Sequence, residues 1–257
     1  MSLPPAPHQD EAPAPRAGDL VKRHALVTRL WHWLNAITLA VMLMSGLMIF
    51  NAHPRLYWGH YGANSDPAWL DLEKVNGGIP FPGWITLPSH YSLADARLWH
   101  LAFAWALVLG LLGYLGWALV SGHLRRNLAP KLGELAPAHL WHDLKQHARL
   151  RFPTGAAALS YNVLQKLAYG AVLVVLLPGI VLTGLAMSPA MDAAWPWLVD
   201  LCGGRQAARS LHFLCAGALV LFFLVHIAMV LLAGPINEVR SMLTGRYRLP
   251  PDRKDAP

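Results

Sequence analysis

Four stretches of this chain, residues 30–50, 98–120, 167–187 and 211–233, contain no Lys, Arg, Asp or Glu at all. Charged residues make up only 14% of the sequence against 55% apolar ones, a balance foreign to a water-soluble globular domain. A helix needs about 20 apolar residues to cross the hydrocarbon layer, and each run has 21 or 23. Lipid offers the backbone no water to bond, so runs that cross it must be helical. The expectation is an all-α integral membrane protein, a bundle of four transmembrane helices with no strands of consequence.

Other absences narrow the chemistry. There are two cysteines, Cys202 between the third and fourth runs and Cys215 inside the fourth, with no C-x-x-C pair, which excludes a disulfide framework and a thiolate metal site. Nothing matches a phosphate loop, a nucleophile elbow or an H-E-x-x-H pair, so nucleotide binding and hydrolysis have no motif to rest on. Acidic residues are scarce beside basic ones, giving a net charge of +7. Of the 21 Lys and Arg, sixteen precede the first run, lie in 121–166 or follow the fourth run, and five fall in the other two connections. That bias predicts both termini on the cytoplasmic side and accounts for the charge without nucleic acid. The setting it implies is multi-pass, in the bacterial inner (cytoplasmic) membrane.

Three segments follow. Residues 1–18, rich in Pro and Ala, read as a flexible tail; residues 19–245 are the membrane domain, and 246–257 a second cytoplasmic tail. Lys22, Arg23 and Arg29 precede a first run too long for a signal peptide, so it is expected to stay as a span. Residues 51–96 carry too many prolines for a helix and too many aromatics for a solvated linker, and read as a compact outer cap. Residues 130–151 are basic and partly amphipathic, suited to the cytoplasmic surface, where His139, His142 and His147 read as solvated rather than as a metal site. Pro178 should kink the third span, and the connection before the fourth looks like a short interfacial helix with a Gly turn.

The third run has no histidine; the others have four between them at or near their ends. His212 and His226 are fourteen residues apart on the fourth run, about 21 Å along a helix and nearly on one face. Direction of travel sets the depths: His32 and His226 near the cytoplasm, His100 and His212 near the outside. Two imidazoles at each of two levels suit two haems, each with both axial positions filled, which favours electron transfer. Gly46 lies at the outer level, where a missing side chain would let a macrocycle approach. Arg29, Arg97 and Arg209 each stand three residues before a histidine, one turn nearer water and suited to haem propionates. Plainer readings stand beside these: polar residues at helix contacts, a small residue for packing, and snorkelling arginines.

The segments RLWHWLNA, SGLMIFNAHPRLYWG, ARLWHLAFAW, YNVLQKLAY and GGRQAARSLHF, with His226 beyond them, resemble the prokaryotic cytochrome b561 family and the cytochrome b subunits of nickel-iron hydrogenases, formate dehydrogenases and thiosulfate reductases. The resemblance covers roughly residues 20 to 245, and the thiosulfate-reductase-like members look most similar. It implies a four-helix subunit holding two haem b groups through His32, His100, His212 and His226. Such a subunit anchors an extracytoplasmic molybdenum or iron-sulfur oxidoreductase and exchanges electrons with membrane quinone. Asn162, Gln165 and Lys166 match a motif that the resemblance places at the quinone site near the inner haem, although such residues also simply start a helix. The long aromatic first outer connection departs from the hydrogenase pattern. Two other functions fit the residues: a self-contained superoxide:quinone oxidoreductase, with Arg55, Lys74, Arg97, Arg205 and Arg209 drawing in the anion, and a haem-free transporter or receptor whose intramembrane polar residues line a pathway.

Overall fold

The computed structural model describes residues 15–150 and 153–251. A short strand β1 (Leu20–Lys22) leads into α1 (Leu26–Asn51). A cap segment with β2 (Arg55–Leu56) and β3 (Leu70–Asp71) runs to α2 (Leu93–Val120). A surface helix α3 (Pro137–Ala148) follows. The third span is built from α4 (Val163–Gly170), a π-wound stretch Ala171–Leu176 and α5 (Leu177–Ala186). Two short helices, α6 (Pro189–Ala194) and α7 (Pro196–Leu201), precede α8 (Arg205–Ala233), α9 (Pro235–Thr244) and β4 (Arg246–Arg248).

Four helices are long and apolar enough to cross a membrane, and they carry the four uncharged runs. Their outward faces expose Leu98, Leu109, Leu112, Val174, Val175, Leu221 and Phe223. That is the surface expected where the solvent is lipid rather than water. Close packing is within pairs, α1 on α2 and α5 on α8. The core between them is Met42, Leu107, Leu111, Tyr114, Leu173, Leu177 and Leu219. Trp31 reaches across the first pair and donates its indole N–H to the Gly110 carbonyl at 2.8 Å.

Pro178 lies just beyond the π-wound stretch. Proline lacks the N–H and crowds the carbonyl four residues back, Val174, and one wider turn accommodates both defects. The expected kink therefore takes the form of a π turn.

At the terminal end, where the described residues begin and finish, β1 pairs antiparallel with β4, with Val21 opposite Tyr247. Strands are thus present where none of consequence was expected, though each is short. Residues 246–249 are also not a tail: Tyr247 and Leu249 are buried, and Arg23 lies 4.4 Å from the Tyr247 ring centre while pairing with Glu238 at 3.0 Å. Burial of these two large apolar side chains holds the stretch against the bundle. Residues 1–14 of the first tail and 252–257 of the second lie outside the described residues.

At the opposite end, the segment between α1 and α2 is a compact cap, as its aromatics foretold. Its β2 and β3 pair antiparallel, and Asn51 exchanges two hydrogen bonds with the Phe81 backbone at 2.8 and 3.0 Å. The cap closes the start of α8, whose first-turn N–H groups have no side-chain partner. The Gly59 carbonyl accepts from the N–H groups of Gln206 and Ala207 at 3.1 and 3.0 Å. Ser210, fully buried, donates to the Tyr57 carbonyl at 2.6 Å and accepts from the Trp69 indole at 2.9 Å.

Gly204 makes this contact possible. Its φ is +111°, and a Cβ there would lie 2.5 Å from the Gly59 carbonyl carbon. Gly204→Ala is expected to destabilise the protein by about 1–3 kcal/mol, from strain at that φ together with the clash. Thermal unfolding in detergent checks this, and an unshifted midpoint would contradict it.

Candidate functional site

Helices α1, α2 and α8 each present histidine toward the seam between the two helix pairs. Ring centres of His32 on α1 and His226 on α8 are 6.2 Å apart, with planes at 57°. Those of His100 on α2 and His212 on α8 are also 6.2 Å apart, at 60°. The two couples that direction of travel predicts are thus both brought together. Along α8 they are fourteen residues apart, which is about 21 Å.

The spacing within a couple carries chemical information. Two imidazoles sharing one hydrogen bond would put their centres about 5 Å apart. Two that bind one metal ion on opposite sides, at about 2 Å from each nitrogen, would have centres about 6.3 Å apart. Both couples match the second figure. In the first, the Nδ1 of His32 is also buried without a hydrogen-bond partner. Among the described residues no three His, Cys, Asp or Glu cluster as for a structural metal ion. Two donors per site, with no third protein ligand among the described residues, fit a haem, whose tetrapyrrole would supply the remaining donors.

Small residues flank the second couple on both sides. The first atom that a Cβ on Gly46 would meet is His100 Cε1 at 3.4 Å, and on Gly184 it is His212 Cε1, again at 3.4 Å. Gly46 was legible from its register with the histidines. Gly184, with Ser45 and Thr183 preceding the two glycines, was missed, although the repeated pattern S-G-L and T-G-L signals it.

Of the predicted arginines, two have backbone partners. Arg29 donates to the Met242 carbonyl at 3.3 Å and to the Leu243 carbonyl. Arg209 donates to the carbonyls of His53 at 2.5 Å and Arg55 at 3.0 Å. Arg97 is exposed. The first two guanidinium groups therefore tie the ends of the bundle to its caps.

Asn162 and Gln165 form a capping box at the start of α4: the Asn162 side chain accepts from the Gln165 N–H at 2.9 Å, and the Gln165 side chain accepts from the Asn162 N–H at 3.2 Å. The Asn162 amide nitrogen also lies 3.2 Å from His147 Nε2. Lys166 is buried and pairs with Glu134 at 2.8 Å, which holds that carboxyl below the usual carboxylate range.

A profile of the prokaryotic cytochrome b561 family matches residues 23–245. The chain belongs to the prokaryotic cytochrome b561 family. It is thus a multi-pass membrane protein of a haem b, electron-transferring family. Over 211 residues, 79% of its length, the cytochrome is 32% identical to a putative protein-methionine-sulfoxide reductase subunit YedZ1 of Azospira oryzae, 87% of which is covered. It is 25% identical over 248 residues to a probable Ni/Fe-hydrogenase B-type cytochrome subunit of Azotobacter vinelandii, covering 88% of each chain. A protein of the same description from Cupriavidus necator is 24% identical over 86% of this chain and 83% of its own. No solved structure matches the cytochrome.

Aromatic residues continue from the first histidine couple toward the terminal end of the cytochrome. The Phe222 ring stacks on His226 at 5.8 Å, Tyr169 lies 6.3 Å from Phe222, and Tyr161 lies 5.4 Å from Tyr169. The Tyr161 hydroxyl is 3.4 Å from Nδ1 of His24, a buried residue between β1 and α1. Burial, aided by the neighbouring Arg23 charge, pushes the His24 imidazole down from 6.5 to about 4.

Unfolded chains take up this proton near the ordinary value, while the folded protein resists until far lower. Stability from His24 is therefore complete above 6.5, falls as pH drops through that value and levels off below about 4. Thermal midpoints measured from about pH 7 to about pH 4.5 should fall more steeply for the wild type than for His24→Phe. Equal slopes would contradict this.

Proposed function

We propose that this cytochrome holds two haem b groups, one between His32 and His226 and one between His100 and His212. It would relay electrons between membrane quinone and an oxidoreductase subunit outside the cytoplasm. The observation that carries the reading is the pair of 6.2 Å ring separations, one at each level of one helix bundle. When bound, the haem supplies reversible one-electron chemistry. The protein's part is to fix donor positions, exclude water and set the level of each site.

The charge bias supports an orientation with the terminal end in the cytoplasm of a bacterial cell and the cap outside it. The His100–His212 site then lies nearest the exterior, against a cap that exposes Trp58, Tyr61 and Trp84. Exposed aromatics of this kind favour a protein partner. The relatives are described as subunits of hydrogenase and of methionine-sulfoxide reductase, and an exported molybdenum or iron-sulfur oxidoreductase subunit fits the same surface.

Quinone exchange belongs at the terminal end, beside His32 and His226. There Asn162 and Gln165 supply uncharged polar groups able to meet a quinone carbonyl, and Lys166 would do so only by leaving Glu134. Asn162 would serve through its amide nitrogen, since its oxygen is held by the helix cap. Arg29 at the terminal end and Arg209 at the cap end would stabilise propionates only by exchanging their carbonyl partners.

A self-contained reaction with superoxide draws less support from the structure. Of the cations that would steer the anion, Arg55 pairs with Asp71 at 3.1 Å and Glu73 at 2.5 Å, and Arg205 with Asp192 at 2.6 Å. Pairing removes most of their long-range field.

The test is a pair of substitutions read by optical spectra and haem content. His212→Ala should lose one low-spin b-type component and keep the other, and His226→Ala should lose the opposite one. Identical spectra for both variants, or spectra unchanged from the wild type, would overturn the assignment.

A further inference from the structure

We infer that Ser45 and Thr183 are positioning residues. Each fixes the tautomer of an outer histidine and makes its ring more electron-rich than those of the inner couple. The inference rests on the reading that His100 and His212 bind a haem, and concerns how the protein tunes that site.

The two hydroxyls are placed alike on different helices. Ser45 Oγ on α1 lies 3.0 Å from His100 Nδ1, and Thr183 Oγ1 on α5 lies 3.1 Å from His212 Nδ1. Ser45 is fully buried and Thr183 nearly so. Each is followed by the glycine that lies against the same ring.

A hydroxyl has one proton to give. Ser45 gives its own to the Val41 carbonyl at 2.8 Å, four residues back on its helix. Thr183 does the same to the Gly179 carbonyl at 2.7 Å. Each oxygen can then only accept from the imidazole. The Met42 and Ile180 carbonyls also face these rings, and they too are acceptors. Nδ1 of both histidines must therefore carry the proton, which leaves the lone pair of Nε2 free for a metal ion. No rotation of the hydroxyl restores the other tautomer without breaking the helix-backbone bond.

The inner couple has no such support among the described residues, and His32 Nδ1 is buried with no partner. A ligand histidine that donates its second N–H to an acceptor is a stronger base toward its metal. That favours the oxidised iron. The hydroxyls therefore lower the outer potential relative to the inner one and bias the pair toward electron flow from the cap to the terminal end.

The experiment is an optical redox titration of the purified full-length protein with haem quantified in each sample. The variants are Ser45→Ala, Thr183→Ala, the double variant, and the hydroxyl-retaining Ser45→Thr and Thr183→Ser. The outer midpoint should rise in each alanine variant, rise furthest in the double variant, and stay at the wild-type value in the two conservative ones, with the inner midpoint unmoved. Loss of outer haem in the alanine variants, with normal content and potential in the conservative ones, also supports the role.

Unmoved midpoints in the alanine variants would overturn it. So would equal shifts in the conservative variants, a shift confined to the inner haem, or loss of outer haem from all of them. A wild-type preparation without haem would instead sink the reading beneath it.

Discussion

Two imidazoles held 6.2 Å apart across a seam between helices is the constraint on which the rest depends. A polar ring in lipid costs free energy unless something satisfies it, and these rings are too far apart to satisfy each other. The arrangement makes physical sense when each couple shares a metal ion, and it needs α8 to carry one histidine for each level. The other helices are placed around that demand: α1 and α2 each meet α8 at one level, and α5 brings a glycine and a threonine to the His212 ring without supplying a histidine.

Holding this geometry requires that both ends of α8 be tied down. At the cap end, Gly59, Tyr57 and the His53 and Arg55 carbonyls receive the first turns of the helix through Gln206, Ala207, Ser210 and Arg209. At the terminal end, α9 packs through Arg23, Arg29 and Trp33, with Met242 accepting from both of the latter. Apart from the Arg23–Glu238 ion pair, both clamps use donors that meet backbone carbonyls. At the cap end these bonds are buried or partly buried and costly to leave unmade, so they fix position more firmly than surface ion pairs would.

The spans and their histidine couples were legible in sequence because lipid imposes a simple rule. An uncharged run of sufficient length must be a helix, and charge bias sets direction, so the depth of each histidine follows by counting. The role of the arginines was less legible. Spacing puts Arg209 one turn from His212, but the cap carbonyls that it meets come from residues more than 150 positions away. Asn162 shows a similar limit, since its sequence context fits a cap and a binding site equally, and the fold has the cap in use. Tyr247 and Leu249 looked like tail because their burial depends on β1, more than 200 residues earlier. The repeated S-G-L and T-G-L pattern marks Ser45 and Thr183 but not their role: a hydroxyl in a helix ordinarily bonds its own backbone, and only the neighbouring imidazole gives that habit a consequence.

The central claim is that each histidine couple grips one iron. It is tested most directly by the ratio of haem b to polypeptide in purified wild-type protein from haem-replete cells, with the spin state read from the same sample. The account predicts two haems per chain, both low-spin with histidine on both sides. A single haem, a high-spin signal or a stable colourless protein would contradict it.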